Sequence, residues 1–213
     1  MATPDDPRIY HVTPIDNLAK IIDTGRIYSD AELRGAGTDY TSIGMNKLKR
    51  GRFARDVRCH PGMRVADFVP FYFCPRSPML YIAFKSNHGE VAYKGGQANI
   101  VHLEASFNAL VAAANRRNWP WAVSLSNAAS AYAEFRTGDG AIDALPWDCI
   151  EARQWGGGKM DRKQAEFLFH RRFPWKGISR LGVMNATVHQ RVRTLLEKSD
   201  HKPPIEVRPD WYY

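Results

Sequence analysis

The stretch "RIYHVTPIDNLAKIIDTG", residues 8–25, changes its period part-way along, and that change sets the fold class. Read as a strand, Ile9, His11 and Thr13 share one face while Tyr10 and Val12 share the other. From Ile15 onward the apolar residues Ile15, Leu18, Ile21 and Ile22 recur at helical spacing until Gly25 ends the pattern. Thr13 and Asp16 have the spacing of a capping-box variant, and Pro14 suits the first helical turn. A strand therefore passes directly into a short amphipathic helix, with His11 and Thr13 side by side at the strand's end. Either the two are ligand contacts, or backbone groups satisfy them and Thr13 serves as the cap. This stretch alone favours the second reading.

The chain around it has 213 residues, 44% of them hydrophobic, and no composition break divides it, so one compact domain over residues 1–213 is expected. No window is long and apolar enough to span a membrane, and "MATPDDPRIY" lacks the features of a secretory signal. Cys59, Cys74 and Cys149 are odd in number and widely spaced, which suits reduced thiols in a cytoplasm and matches no zinc pattern; no metal is expected. The net charge of +8 points to a polyanionic partner. Within "KLKRGRFARDVR", residues 47–58, six cations stand against one acid, with Phe53 among them; the segment reads as a phosphate-contacting loop or as a solvated one.

Further along, "DFVPFYFCPRSPMLYIAF" predicts a strand near 68–74, a bend at Pro75 and Pro78, and a strand or helix from Met79. Arg76 and Ser77 between the prolines suggest a pocket edge. "ANIVHLEA" reads as a buried strand over 98–105, and residues 106–118 as a helix starting near Ser106. A strand and a short helix around Ala128 to Phe135 follow, then a flexible "GGGKMDR", late strands in "ISRLGVMN" and "IEVRPDWYY", and a helix "ATVHQRVRTLLEKS" between them. Strands mixed with short helices and no repeated βαβ period predict an α+β domain.

Residues 162–170, "RKQAEFLFH", hold an acid inside an apolar run. As a strand, the segment makes Gln164 and Glu166 neighbours on one face, opposite Ala165, Phe167 and Phe169; as a helix, it makes Glu166 a surface acid. Periodicity fits both.

Four stretches, "YHVTPIDNLAKII", "TSIGMNKLKRGR", "DFVPFYFCPRSPMLY" and "RKQAEFLF", together resemble the DarT family of toxins within the ADP-ribosyltransferase superfamily. They run in the family's order and extend from about residue 8 to the final "WYY". The resemblance implies an ADP-ribosyltransferase-like fold, a central split β-sheet or sandwich flanked by short helices. It implies transfer of ADP-ribose from NAD, used as a co-substrate, to a guanine or thymine base of single-stranded DNA. His11 and Thr13 would hold the nicotinamide end, with Asn17 nearby, and Tyr72 and Met79 would line the nicotinamide and ribose pocket. Glu166 matches the family's catalytic glutamate and Arg52 its catalytic arginine. Lys47, Lys49, Arg50, Asn127, Arg153, Trp155 and Lys159 would meet DNA. Asn127, where some relatives carry histidine, and the length of the "GGGKMDR" loop depart from the family pattern and bear on base preference; the second and third stretches look more like the guanine-modifying branch. The resemblance also implies a monomeric cytoplasmic toxin paired with an antitoxin, a macrodomain or related hydrolase that removes the ADP-ribose. Other enzymes of this fold, an RNA 2′-phosphotransferase or a protein ADP-ribosyltransferase, and a non-enzymatic nucleic-acid-binding module are the competing readings.

Overall fold

The computed structural model describes residues 2–37, 40–44, 46–85 and 93–213. Strand β1 (Arg8–Pro14) leads through a 3₁₀ turn at Ile15–Asn17 into α1 (Leu18–Thr24), which ends on Gly25 in the left-handed conformation, φ 64°. Then come β2 (Arg26–Tyr28), α2 (Asp30–Gly35), α3 (Asn46–Ala54), β3 (Phe68–Tyr72), α4 (Pro78–Lys85), β4 (Ile100–Ser106) and α5 (Phe107–Arg116). The rest of the chain forms β5 (Trp121–Ser124), β6 (Phe135–Arg136), α6 (Trp147–Ile150), α7 (Lys159–Lys163), β7 (Glu166–His170), β8 (Arg172–Pro174), β9 (Arg180–Val183), α8 (Ala186–Leu196) and β10 (Ile205–Val207).

Eight strands form one sheet in the order β10-β9-β4-β1-β3-β7-β5-β6, and β2 pairs with β8 alone. The sheet is split in its middle. Strand β1 pairs with β4 along its whole length, from Arg8 opposite Ser106 to Pro14 opposite Ile100, and β3 pairs with β7 from Phe68 opposite His170 to Tyr72 opposite Glu166. Between β1 and β3 the register consists of Tyr10 opposite Tyr72. This is the α+β, split-sheet architecture expected from the sequence.

Both faces of the β3-β7-β5 half are buried. Phe71, Phe167, Phe169 and Trp121 point into the main core, where the Phe71 and Phe173 rings lie 4.6 Å apart, while Phe68, Leu168 and Ala122 pack on the other side with Val57, Val65 and Phe135. On the opposite half, Gly182 of β9 lies against the Trp211 ring, where an added Cβ would collide. Arg180 and Arg208 sit over that ring at 5.3 and 4.6 Å, and Arg180 also binds the buried Glu104 at 2.6 Å. Among the described residues no helix is long and apolar enough to cross a membrane.

Several local expectations are corrected. Thr13 does not cap a helix: Pro14 is still paired in the sheet, the 3₁₀ turn has no side-chain cap, and the Thr13 hydroxyl accepts from Asn17 Nδ2 at 3.0 Å. The basic segment is helical as far as Ala54, in α3, and leaves the helix only for residues 55–58. Of the strand or helix expected from Met79 the helix is found, starting one residue earlier at Pro78 with the Ser77 hydroxyl accepting from Leu80 N at 3.3 Å. No helix forms over Ala128–Phe135, because the Asn127 side chain draws Ala129 N into a local turn at 2.9 Å and Phe135 joins β6. "IEVRPDWYY" is strand only at Ile205–Val207 and then turns 3₁₀ at Pro209–Trp211.

His102 on β4 is fully buried between the Pro75 carbonyl, 3.0 Å from Nε2, and the Tyr212 hydroxyl, 3.1 Å from Nδ1. Burial lowers its pKa from 6.5 to about 4. The unfolded chain therefore takes up this proton first, so stability falls as pH drops below about 6.5 and the His102 contribution levels off near pH 4. Urea unfolding at pH 7.5 and 4.5 is expected to show about 2.5 kcal/mol of acid destabilisation from this group. His102→Gln should be less stable at pH 7.5 but should lose correspondingly less on acidification.

Candidate active site

The split between β1 and β3 opens a cleft, and the elements around it each deliver one or two side chains. Strand β1 supplies His11 and Val12, β3 supplies Pro70 and Tyr72, and Met79 comes from the first turn of α4. The segment 40–44 forms one wall and Asn127 and Gln164 another, while Asp30, Lys49, Arg52 and Glu166 provide the charges.

Glu166 opens β7, where it pairs across the sheet with both Tyr72 and Ser124. Its amide donates to the Ser124 hydroxyl at 3.0 Å, and that hydroxyl donates on to Ser126 O at 2.8 Å, which fixes the start of the strand. The residue is 2% exposed. Arg52, in the last turn of α3, reaches it with Nη1 at 2.8 Å from Oε2 and 3.1 Å from Oε1. On its other side Arg52 Nε lies 3.9 Å from Asp30, and Lys49, one turn earlier, is 3.7 Å from the same carboxylate. Asp30 begins α2 directly after Ser29, whose hydroxyl accepts from Glu32 N at 3.3 Å. Two carboxylates thus flank one arginine, and burial makes the arrangement costly unless further partners complete it.

Among the described residues, two atoms lining this cleft are buried without a hydrogen-bond partner: Arg52 Nη2 and His11 Nε2. His11 Nδ1 donates to the Pro70 carbonyl at 2.9 Å, so the bond crosses from β1 to β3. Burial lowers the His11 pKa below its ordinary value despite that bond, which leaves a neutral ring with the Nε2 lone pair free to accept. Burial, with the Glu166 carboxylate adding to it, holds the Tyr72 phenol far above its ordinary pKa, so it stays protonated. The cleft therefore presents an unsatisfied donor, an unsatisfied acceptor, a neutral phenol and a carboxylate. Buried orphans of this kind mark a place made for a polar ligand.

The sequence-derived residues divide into groups. His11, Tyr72, Met79, Lys49, Arg52, Asn127 and Glu166 come together in the cleft. Thr13 and Asn17 stand behind it: Thr13 is fully buried, and the Asn17 amide donates to Thr13 Oγ1 and to Thr41 O at 2.8 Å while accepting from Thr41 N at 3.0 Å. They hold the wall at residues 40–44. Arg50 lies on the outer face of α3, Arg153 lines a different cleft, Lys159 is exposed at the start of α7, and Trp155 packs edge-on to Tyr81 at 5.3 Å. The side chain of Lys47 lies outside the described residues. Sequence reasoning missed Asp30, Tyr40 and Ser124; "SDAE" shows a helix start, yet nothing in it says that Asp30 faces a charged cleft.

Among the described residues no three His, Cys, Asp or Glu side chains are grouped so as to hold a metal ion. The family model for "ssDNA thymidine ADP-ribosyltransferase, DarT" matches residues 10–213. The chain belongs to the DarT family. A DNA ADP-ribosyl transferase of Thermus sp. is 32% identical to it, covering 99% of this chain and 98% of the relative. Another DNA ADP-ribosyl transferase, from Mycobacterium tuberculosis, is also 32% identical, over 99% of this chain and 90% of the relative. Among solved structures, Thermus sp. DarT in complex with ADP-ribosylated single-stranded DNA superposes with a TM-score of 0.89 at 31% identity, covering 100% of this chain and 99% of that one. The same DarT in complex with NAD⁺ gives 0.83 at 31% identity, with 99% of each chain covered.

The ion pair makes a direct prediction about stability. Arg52→Met leaves the Glu166 carboxylate buried without its main partner, and urea unfolding at pH 8 is expected to show a loss of about 3 to 5 kcal/mol. The double variant Arg52→Met/Glu166→Gln should regain most of it, whereas an equal deficit in single and double variants would show that the pair is energetically irrelevant.

Proposed function

We propose that the protein transfers ADP-ribose from NAD to a thymine or guanine base of single-stranded DNA. The observation that carries this reading is the cleft itself, where a buried carboxylate, an arginine with a spare donor and a neutral histidine with a spare acceptor converge in a DarT-family chain. The relatives solved with NAD⁺ and with ADP-ribosylated DNA support it.

Each group has a task that its chemistry suits. His11 Nε2 accepts from the carboxamide of nicotinamide, and Tyr72 and Met79 bound the space for that ring and its ribose. Thr13 and Asn17 keep the facing wall in place. As the bond between ribose C1′ and the nicotinamide nitrogen breaks, nicotinamide leaves with the bonding electrons and positive charge develops on the ribose. Glu166, although engaged by Arg52 Nη1, retains lone pairs that accept from the ribose 2′-hydroxyl and oppose that charge. The acceptor nitrogen of the base bonds to C1′, and its proton passes to the Glu166 carboxylate. Arg52 Nη2 donates to the NAD diphosphate or to charge developing on the base. A single strand offers its bases without the cost of unpairing. Lys47, Lys49 and Arg50 on α3, with Arg153, Trp155 and Lys159 beyond the cleft, attract and stack the strand, and Asn127 stands where the acceptor base enters.

The biological setting follows from the chemistry: modified template bases are toxic, so the protein acts as the toxin of a pair whose antitoxin, a macrodomain or related hydrolase, removes the ADP-ribose. It works as a monomer in the cytoplasm, where its free cysteines stay reduced.

Two measurements test the assignment. NAD should raise the melting temperature of wild type, and His11→Ala should shrink that shift. Incubated with NAD and a single-stranded oligonucleotide, wild type should add the mass of one ADP-ribose and act much less on the duplex. Glu166→Gln keeps shape and hydrogen bonding but loses the charge, and its rate should drop by at least about a hundredfold. A glutamine variant that matched the wild-type rate would remove Glu166 from the chemistry.

A further inference from the structure

The first turn of α2 is anchored on both sides of Asp30. Before it, the Ser29 amide donates to Arg171 O at 2.8 Å and the Ser29 hydroxyl caps the helix. After it, Glu32 accepts from Arg171 Nε at 2.7 Å and from Arg172 Nε at 2.5 Å. Consecutive residues of an extended chain point to opposite faces, and these two arginines reach one carboxylate because Arg171 turns left-handed, at φ 59°. That conformation is uncommon for a residue other than glycine, and here its effect is to fix the helix turn that presents Asp30.

The carboxylate so presented is incompletely bonded. Asp30 lines the candidate active-site cleft, and among the described residues its side chain makes no hydrogen bond. Its two partners, Lys49 Nζ at 3.7 Å and Arg52 Nε at 3.9 Å, stand at ion-pair distance but beyond hydrogen-bond reach. Both Asp30 oxygens therefore keep lone pairs open to the cleft, whereas both oxygens of Glu166 are engaged by Arg52 Nη1. Burial, with the Asp30 charge adding to it, pushes the Tyr40 phenol up to about 12, and the same charge opposes the burial that lowers the His11 pKa. Asp30 thus faces the part of the cleft that His11, Tyr40 and Arg52 share. Charge decides what it can receive. A diphosphate beside it is repelled, and a carbonyl offers an acceptor nothing, so its complement is a neutral donor. Of the donors that NAD carries, the carboxamide goes to His11 and the adenine amine lies at the far end of the molecule, which leaves the ribose hydroxyls.

We propose that Asp30 is a substrate-binding residue that accepts a hydrogen bond from the 3′-hydroxyl of the nicotinamide ribose, while Glu166 takes the 2′-hydroxyl on the other side of Arg52. The assignment rests on the transferase reading given above and adds a second carboxylate to its sugar site. The two hydroxyls are neighbours on one face of the ring and the two carboxylates are neighbours on one guanidinium, so the diol spans Arg52. A sugar held by one hydroxyl pivots about that bond; held by two, it presents C1′ in a single orientation. Hydrogen bonds to an ionised acceptor are the strong class, and an acceptor already fixed by Ser29 and Glu32 loses little freedom when the sugar arrives.

The experiment is a calorimetric titration of the full chain, without DNA, using NAD, NAD lacking the 3′-hydroxyl of the nicotinamide ribose, and NAD lacking the 3′-hydroxyl of the adenosine ribose. Wild type should bind the first analogue about tenfold more weakly than NAD, as loss of a hydrogen bond to a charged group does. Asp30→Ala should bind NAD about tenfold more weakly than wild type and should bind NAD and the first analogue equally, while its response to the adenosine analogue stays that of wild type. Asp30→Asn preserves shape in case the alanine variant does not fold, and with a neutral acceptor it should discriminate less than wild type. A purely structural role for Asp30 would weaken all three ligands alike; variants that keep the wild-type discrimination therefore overturn the assignment. So does a variant that stops discriminating against the adenosine analogue, which would place Asp30 on the other ribose. A wild type that transfers ADP-ribose to DNA yet binds NAD and the first analogue equally overturns the role of Asp30 alone. Conversely, a wild type that shows the expected pattern but never transfers ADP-ribose refutes the transferase reading and leaves Asp30 on the sugar, and one that binds none of the three ligands overturns both.

Discussion

The structure turns on how loosely its two half-sheets are joined. Between β1 and β3 the register consists of Tyr10 opposite Tyr72, and a side-chain bond from His11 to the Pro70 carbonyl spans the same gap at 2.9 Å. A continuous ladder there would fill the space with paired backbone, leaving no cleft. Because the strands part, their polar side chains face an opening and not a neighbouring strand, and the halves are held together by the main core that both bury. His11 therefore has two roles that the same ring performs at once. Its Nδ1 ties the halves together, and the bond fixes the tautomer that leaves Nε2 open toward the cleft.

The same opening explains why charges are tolerated so deep in the protein. Glu166 and Arg52 are both nearly buried, and such a pair is weak as a source of stability because desolvation offsets much of the attraction. In the transferase reading proposed above its value lies in pre-organisation: the carboxylate is held at the strand's start by Ser124 and by Arg52, so it would not have to reorient as positive charge forms beside it. Asp30 holds the other side of Arg52 and keeps the guanidinium from turning away. The unsatisfied Nη2 is what remains once the fold has fixed the rest of the guanidinium between the two carboxylates.

The parts legible from sequence were those with one period and one buried face. Strand β1 and helix α1 announce themselves through the change from alternation to helical spacing, and the caps at Gly25 and Ser106 are local signals that the structure keeps. Residues 164–170 were ambiguous for a physical reason: β7 is buried on both faces, Phe167 on one and Leu168 on the other, so no alternation survives to distinguish strand from helix. Helix α3 lacks an apolar stripe altogether, and its charges concealed it as a loop. Thr13 kept its polar partner but found it in Asn17, four residues on, because sheet pairing extends through Pro14. The pairing of Glu166 with Arg52 was suggested only by family resemblance, since their meeting across 114 positions of chain leaves no local trace.

The segment that precedes Glu166 is suspended independently of Glu166 itself. At one end Lys163 is tied to Ile150, and at the other Asn127 binds Asp161 O through its amide and Gln164 through its side chain at 3.1 Å. Gly157 and Gly158, both at positive φ, give the loop between these ties a shape that other residues adopt only with strain. The carboxylate takes its position from Ser124 and Arg52, which belong to neither tie. Insertions or substitutions within residues 151–158 can thus accumulate without shifting the Glu166 carboxylate. The carboxylate and the loop are thus anchored separately, so sequence change in the loop need not be preceded by any loss of order in the cleft.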